Sequence, residues 1–177
     1  MSVDFRIFPD VMKDMVDKVV ADPDVTSALG PYLEGVGGIF PAFEYGTYLE
    51  LLQTCIRKDN NQEAKYPLIW LVWDAAENQQ KWIEPYMYTL TAKVFICDRT
   101  NIDSTTSQRY AETLKPILYP IFFALIEALG NHPCVELNDE FIYPANDHPF
   151  WLNNPDGSYD TLSAIEISLQ NMLIYKN

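Results

Sequence analysis

From Asp10 onward, apolar residues fall at Val11, Met12, Met15, Val16, Val19 and Val20, the spacing of one helical face. Asp10 stands where an N-cap would, and Pro23 where the helix must stop. Residues 22–43 hold Gly30, Pro31, Gly35, Gly37, Gly38 and Pro41, and read as an extended loop or arm. Its aromatics Tyr32, Phe40 and Phe43 need a surface to lie on, either the chain's own core or a neighbouring subunit. They are candidates for a subunit interface. Thr47-Tyr48-Leu49-Glu50 has the form of a capping box. The helix behind it carries Tyr48, Leu49, Leu52, Cys55 and Ile56 on one face. Pro67 to Trp73 is almost wholly apolar and β-rich, which predicts a central strand buried on both faces, with Leu68, Trp70 and Trp73 in the core. A polar loop over 74–85 contains Trp82. Residues 86–97 then alternate, with Tyr88, Leu90, Ala92, Val94 and Ile96 on one face, so a long strand returns against the first.

Thr105-Thr106-Ser107-Gln108 is a second capping box. Behind it Tyr110, Leu114, Ile117, Leu118, Ile121, Leu125 and Leu129 mark one helical face, and Gly130 ends it. Ile117 and Ile121 are core candidates. An interior proline costs a helix roughly 3 kcal/mol, so Pro116 and Pro120 predict a kink, or a break into 106–114 and 117–129. Glu136–Tyr143 is a weak strand candidate, 144–160 reads as a loop, and Leu162–Tyr175 as a C-terminal strand. In that strand Ile165, Ile167, Leu169 and Leu173 alternate against Glu166, Ser168, Gln170 and Met172. The order predicts a single α+β domain over 1–177, a mostly antiparallel sheet with helices packed on one side.

The apolar fraction of 48% over 177 residues excludes a disordered chain. Twelve Lys and Arg face 25 Asp and Glu, a formal charge of −13, which argues against nucleic-acid binding by phosphate neutralisation. From 131 onward Lys176 is the only base, so this region is either a solvated acidic face or a surface that repels polyanions. No apolar run reaches the ~18–20 residues of a membrane span, so no membrane partner is expected. Cys55, Cys97 and Cys134 form no CxxC pair, which suits synthesis in a reducing cytoplasm.

Signatures of catalysis are missing from the sequence: it has no P-loop, dinucleotide fingerprint, nucleophile elbow or HExxH. Gly35-Val36-Gly37-Gly38 lies outside any strand–loop–helix frame. His132, Cys134 and His148 are the only soft-metal donors in one region, and a structural zinc needs a fourth. A nucleophilic cysteine would need Cys134 or Cys97 beside His132 or His148. No catalytic, cofactor-binding or metal residue is assigned, and neither a cofactor nor enzymatic activity is expected. Tyr143 to Trp151 mixes aromatics with turn residues. Its Phe150 and Trp151 either close the core or, like Tyr32, Phe40 and Phe43, join a subunit interface.

Four runs carry a resemblance: Glu44–Leu52 (EYGTYLELL), Lys65–Leu71 (KYPLIWL), Ser107–Tyr110 (SQRY) and Leu114–Ile121 (LKPILYPI). In this order they resemble a class of small virion proteins of phages and prophages of Bacteroides and related bacteria, including crAss-like phages. The match spans roughly residues 44–130. The element order is also similar to that of phage tail-terminator and tail-completion proteins, which form rings at the junction of portal, neck and tail. The resemblance implies a tail-terminator-like fold and a virion structural protein made in the host cytoplasm. It implies a homo-oligomeric ring in the head-to-tail connector or tail. Partners would be its own copies and neighbouring portal, neck or tail proteins. DNA would pass through without specific binding. Two other readings compete: a bacterial protein-interaction adaptor with no catalytic activity, and an enzyme built on Cys134.

Overall fold

The computed structural model describes residues 7–34, 39–56, 65–73, 79–84, 87–136, 145–152 and 160–175. Its centre is a ribbon of two long antiparallel strands, β4 (Met87–Arg99) and β7 (Leu162–Tyr175), paired from Met87–Tyr175 to Arg99–Leu162. In chain order the other elements are α1 (Phe8–Ala21), α2 (Pro23–Leu33), β1 (Ala42–Gly46), α3 (Tyr48–Ile56), β2 (Leu68–Val72), β3 (Gln79–Glu84), α4 (Thr106–Gly130), β5 (Val135–Glu136) and β6 (Ala145–Leu152). β2 and β3 share one edge of β4, β2 opposite residues 93–97 and β3 opposite 87–91. β5 and β6 share the outer edge of β7. β1 lies outside β2 and parallel to it, because α3 carries the chain across the sheet between them. Among the described residues the sheet has seven strands and is mostly antiparallel, and the fold is α+β as the sequence predicts.

The pleat divides the core in two. One face presents Ile69 and Leu71, then Tyr88 to Ile96 at every second residue, then Ile165, Ile167 and Leu169, to α1, α2 and α4. The other presents Leu68, Trp70, Val72, Phe95 and Cys97 to Leu51 and Cys55 of α3. The main helical layer thus covers one side, as expected, and α3 adds a smaller cluster on the other. Leu68, Trp70, Ile117 and Ile121 are at most 5% exposed. Trp73 is partly buried and stacks on Phe8, ring centroids 6.3 Å apart.

Several expectations are corrected. The arm expected over 22–43 contains α2, because Asp22 accepts the amides of Asp24 (2.8 Å) and Val25 (3.2 Å), Pro23 fits the first helical position, and Val25 and Leu29 bury one turn apart. Residues 35–38 lie outside the described residues, and β1 follows. Asp10 is not the N-cap of α1: it sits in the first turn and its carboxylate accepts the Ile7 amide at 3.1 Å. The polar stretch 74–85 holds β3, with Trp82 opposite Tyr88. The expected loop 144–160 holds β6, paired with the start of β7; 153–159 lie outside the described residues. So does most of the weak strand at Glu136–Tyr143, of which Glu136 ends β5. On α3 it is Leu51 and Cys55 that bury, while Tyr48 and Leu49 are exposed. In β7 the register slips between Leu90 and Ala92, where Gln170 and Asn171 of β7 stand against the single Thr91 of β4. This bulge inverts the alternation, so Met172 is buried and Leu173 only partly so.

α4 does not break at its prolines. Over Tyr110–Leu118 the helix widens to π geometry, with the Tyr119 amide donating to the Leu114 carbonyl five residues back. The wider turn absorbs the amide that Pro116 lacks, and Pro120 falls in the first turn of the α-helical segment that follows. At 25 residues α4 is long and apolar enough to cross a membrane, though the sequence shows no unbroken apolar run of that length. Half of its apolar window is buried within the fold.

Both capping boxes form. Glu50 accepts the Thr47 amide (2.7 Å) and Thr47 Oγ1 the Glu50 amide (3.2 Å). A Cβ at Gly46 would lie 2.6 Å from the Glu50 carboxylate and would displace it from this box. Gln108 accepts the Thr105 amide (2.8 Å) and Thr105 Oγ1 the Gln108 amide (3.3 Å). Thr105→Ala is expected to lower stability by about 1 kcal/mol with an unchanged denaturant slope in urea unfolding.

Candidate functional site

Two unlike apolar surfaces stand out on the described residues. The first is a groove between α1 and the sheet edge. Its walls are Val16 and Val20 of α1 and Pro41, Phe43 and Tyr45 of β1 and the run before it, with Ile39 at the rim. Ile39 is 74% exposed and Tyr45 53%. The groove follows from the pleat: Phe43 and Tyr45 are two residues apart on an edge strand, so both side chains point to the helix side and meet at 6.3 Å. Among the described residues β1 pairs with β2 alone, so its outer backbone edge is open. Charges at the mouth are Asp10, Asp17, Glu44 and Lys13, whose ammonium pairs with Asp17 at 3.0 Å.

The second surface is an aromatic ladder on the outer side of α4. Tyr110 meets Tyr119 edge-on at 6.0 Å, and Tyr119 stacks on Phe123 at 5.9 Å. Tyr119 donates to the Asp147 carboxylate of β6 at 2.6 Å, and this bond raises its hydroxyl above the usual range. Phe123 is 63% exposed. The widened turn of α4 brings Tyr110 outward, although its spacing in the sequence aligns it with the buried face. Tyr119 and Phe123 are four apart and opposite Ile117 and Ile121, a spacing that marks a second apolar face in the sequence itself.

The interface candidates separate. Tyr32 is half exposed at the end of α2, and Phe43 lines the groove. Phe40 is corrected: it is 8% exposed and joins the main core, since the chain turns inward there to enter the sheet. Trp151 stacks on Phe95 at 4.9 Å and closes the α3-side core. The side chain of Phe150 lies outside the described residues. Sequence reasoning missed Ile39, Tyr45, Tyr119 and Phe123, together with Trp82 and Ile83 of β3, which are about half exposed.

The polar and thiol groups lie elsewhere. His132 and Cys134 are buried at the end of α4, where His132 Nδ1 accepts the Cys134 amide at 3.2 Å. His148 lies on β6 beside Glu166, 3.2 Å away. The Cys134 carbonyl accepts from Tyr175, whereas His148 stands opposite Ala164. At about 3.3 Å per residue these points are roughly 35 Å apart along β7, so Cys134 and His148 form no joint site. Burial pushes the Cys55 thiol up to about 11 and Cys97 well above its ordinary value, so both hold their protons at neutral pH. Near them Asp160, 6% exposed, accepts from Tyr66 (2.8 Å) and pairs with Lys65 (3.2 Å) and Arg99 (3.5 Å). No group of three or more His, Cys, Asp or Glu able to hold a metal occurs among the described residues. No protein-family model matches this chain, and no curated protein matches it.

Proposed function

We propose that this chain is a structural virion protein that assembles into a homo-oligomeric ring in a phage head-to-tail connector or tail, as part of the DNA conduit. The observation that carries the reading is the pair of unlike apolar surfaces on one chain, the α1–β1 groove with its open strand edge and the aromatic ladder of α4. A contact between two different patches is heterologous, and repeated around an axis it closes into a ring where the rotation divides a full turn and otherwise continues as a filament. Exposed Tyr and Phe side chains supply the apolar anchors such contacts use. The sequence resemblance points the same way. The formal charge of −13 favours passage of DNA over adhesion to it.

Native mass spectrometry with negative-stain imaging tests the proposal. Rings of one fixed copy number are expected, and Phe123→Glu is expected to reduce them to monomers without loss of folding, because that side chain is exposed. A chain that remains monomeric at every concentration overturns the ring. It would favour an adaptor that engages a different protein.

A further inference from the structure

A separate cleft of about 540 Å³ opens at the C-terminal end of β4, roofed by α2 and the π-helical turn of α4. Its apolar walls are Leu29 and Leu33 of α2 and Ile117 of α4, and Tyr32 stands half exposed among its lining residues. Its acids are Asp98 from β4, Glu112 from α4 and Glu34 from the end of α2. Asp98 reaches this face because the alternation that buries Val94 and Ile96 continues one step past the last apolar residue. Arg99, next in the strand, pairs its guanidinium with Asp160 at 3.5 Å.

Thr113 supplies an independent sign of a ligand. It is 4% exposed, lines the cleft, and its hydroxyl has no hydrogen-bond partner among the described residues. Buried hydroxyls are nearly always paired, and a helical threonine can usually bond the carbonyl a turn back. Thr113 lies within the π-helical turn, where the carbonyl a turn back is displaced from its α-helical position, and it lines the cleft.

We propose that this cleft binds a primary ammonium group on an alkyl stem, with Asp98 and Glu112 as counter-charges and the Thr113 hydroxyl as an acceptor. An ammonium offers three donors and no acceptor, which suits the carboxylates and hydroxyl of this lining; Arg99 and Asn101 also line the cleft, and the Arg99 guanidinium is the one competing cation among the described residues. Leu29, Leu33 and Ile117 would pack along the stem. The volume is that of a small-ligand pocket. Burial also holds the Asp98 carboxyl at about 7, against the pull of the Arg99 amide and charge, so a cation would relieve an existing cost. The inference does not depend on the ring.

Two sources share this chemistry, a free amine and the lysine side chain of another protein. Cadaverine and N-acetyl-lysine methylamide are therefore titrated separately into the full chain, followed by amide NMR, with 1-pentanol as the uncharged control. Saturable shifts confined to α2, the end of β4 and residues 110–117 are expected. Asp98→Asn is expected to weaken binding at least about tenfold and Thr113→Val about threefold, each with an otherwise native spectrum. Binding is expected to weaken several-fold at pH 5 relative to pH 8. Response to cadaverine alone would assign a free amine, and equal response to the lysine derivative a protein side chain. No saturable binding of either amine, equal binding of pentanol, or unchanged affinity in Asp98→Asn overturns the proposal.

Discussion

Asp160→Ala is expected to lower stability by about 2–4 kcal/mol, the cost of stranding a buried hydroxyl and losing two partly solvated ion pairs. Asp160 joins four segments. One carboxylate oxygen accepts from Tyr66 and pairs with Lys65, ahead of β2, and the other pairs with Arg99 at the end of β4. Its amide donates to the Cys55 carbonyl at the end of α3. Alanine keeps that last bond and deletes the rest. The Tyr66 hydroxyl, on a side chain 4% exposed, is then buried without its acceptor, at a cost of about 1–3 kcal/mol. Lys65 keeps the Thr54 carbonyl at 2.9 Å, and Arg99 is partly solvated, so neither adds the full penalty of an isolated charge. Urea unfolding of Asp160→Ala, Tyr66→Phe and the double variant measures the coupling, expected at about 1–3 kcal/mol. Additive single effects would show that the network has no shared energy.

Asp98→Asn is expected to do the opposite, stabilising the fold by roughly 2–4 kcal/mol at pH 8 and leaving it unchanged near pH 4. Burial lifts the Asp98 carboxyl from its ordinary 3.8 to about 7 in the folded chain. Below about 4 it is protonated in both states and favours neither. Between about 4 and 7 the unfolded chain loses the proton while the folded chain keeps it, so stability falls as pH rises. Above about 7 the whole penalty is present, roughly 4 kcal/mol at about 1.4 kcal/mol per pH unit before relaxation. Arg99, Glu112 and Glu34 share the cleft and stay in both proteins, so the difference between wild type and variant isolates Asp98. Parallel unfolding curves at pH 5 and pH 8 measure it. A gap that does not widen with pH would show that Asp98 ionises freely in the folded state.

The surfaces offered for assembly were only partly legible beforehand. Tyr32 and Phe43 stand out in the sequence because aromatics in a Gly- and Pro-rich stretch need cover, and both lie at open clefts. Phe40, chosen on the same ground, is in the core, because exposure of an aromatic depends on where the chain turns. Tyr45 and Ile39 become a groove wall only when β1 is placed at the sheet edge, which depends on the pairing of β1 with β2 across a segment containing α3. α-Helical spacing from Leu114 places Tyr110 on the buried face; the π-helical turn changes the angle per residue and rotates it outward.

By itself the sequence determined the local elements whose signals are local: both capping boxes, the doubly buried strand at Leu68–Val72, the alternating strand around Tyr88–Ile96 and the α+β class. These depend on residue type and short-range periodicity, which neighbours in sequence decide. It also determined the acidity of the chain. Only the tertiary structure decided the sheet order, the placement of α3 on the opposite face, the bulge that buries Met172, and the burial of Asp98 and Thr113 in one cleft. These depend on contacts between residues far apart in the chain, where a slip of one residue reverses a whole face and no local pattern records the choice.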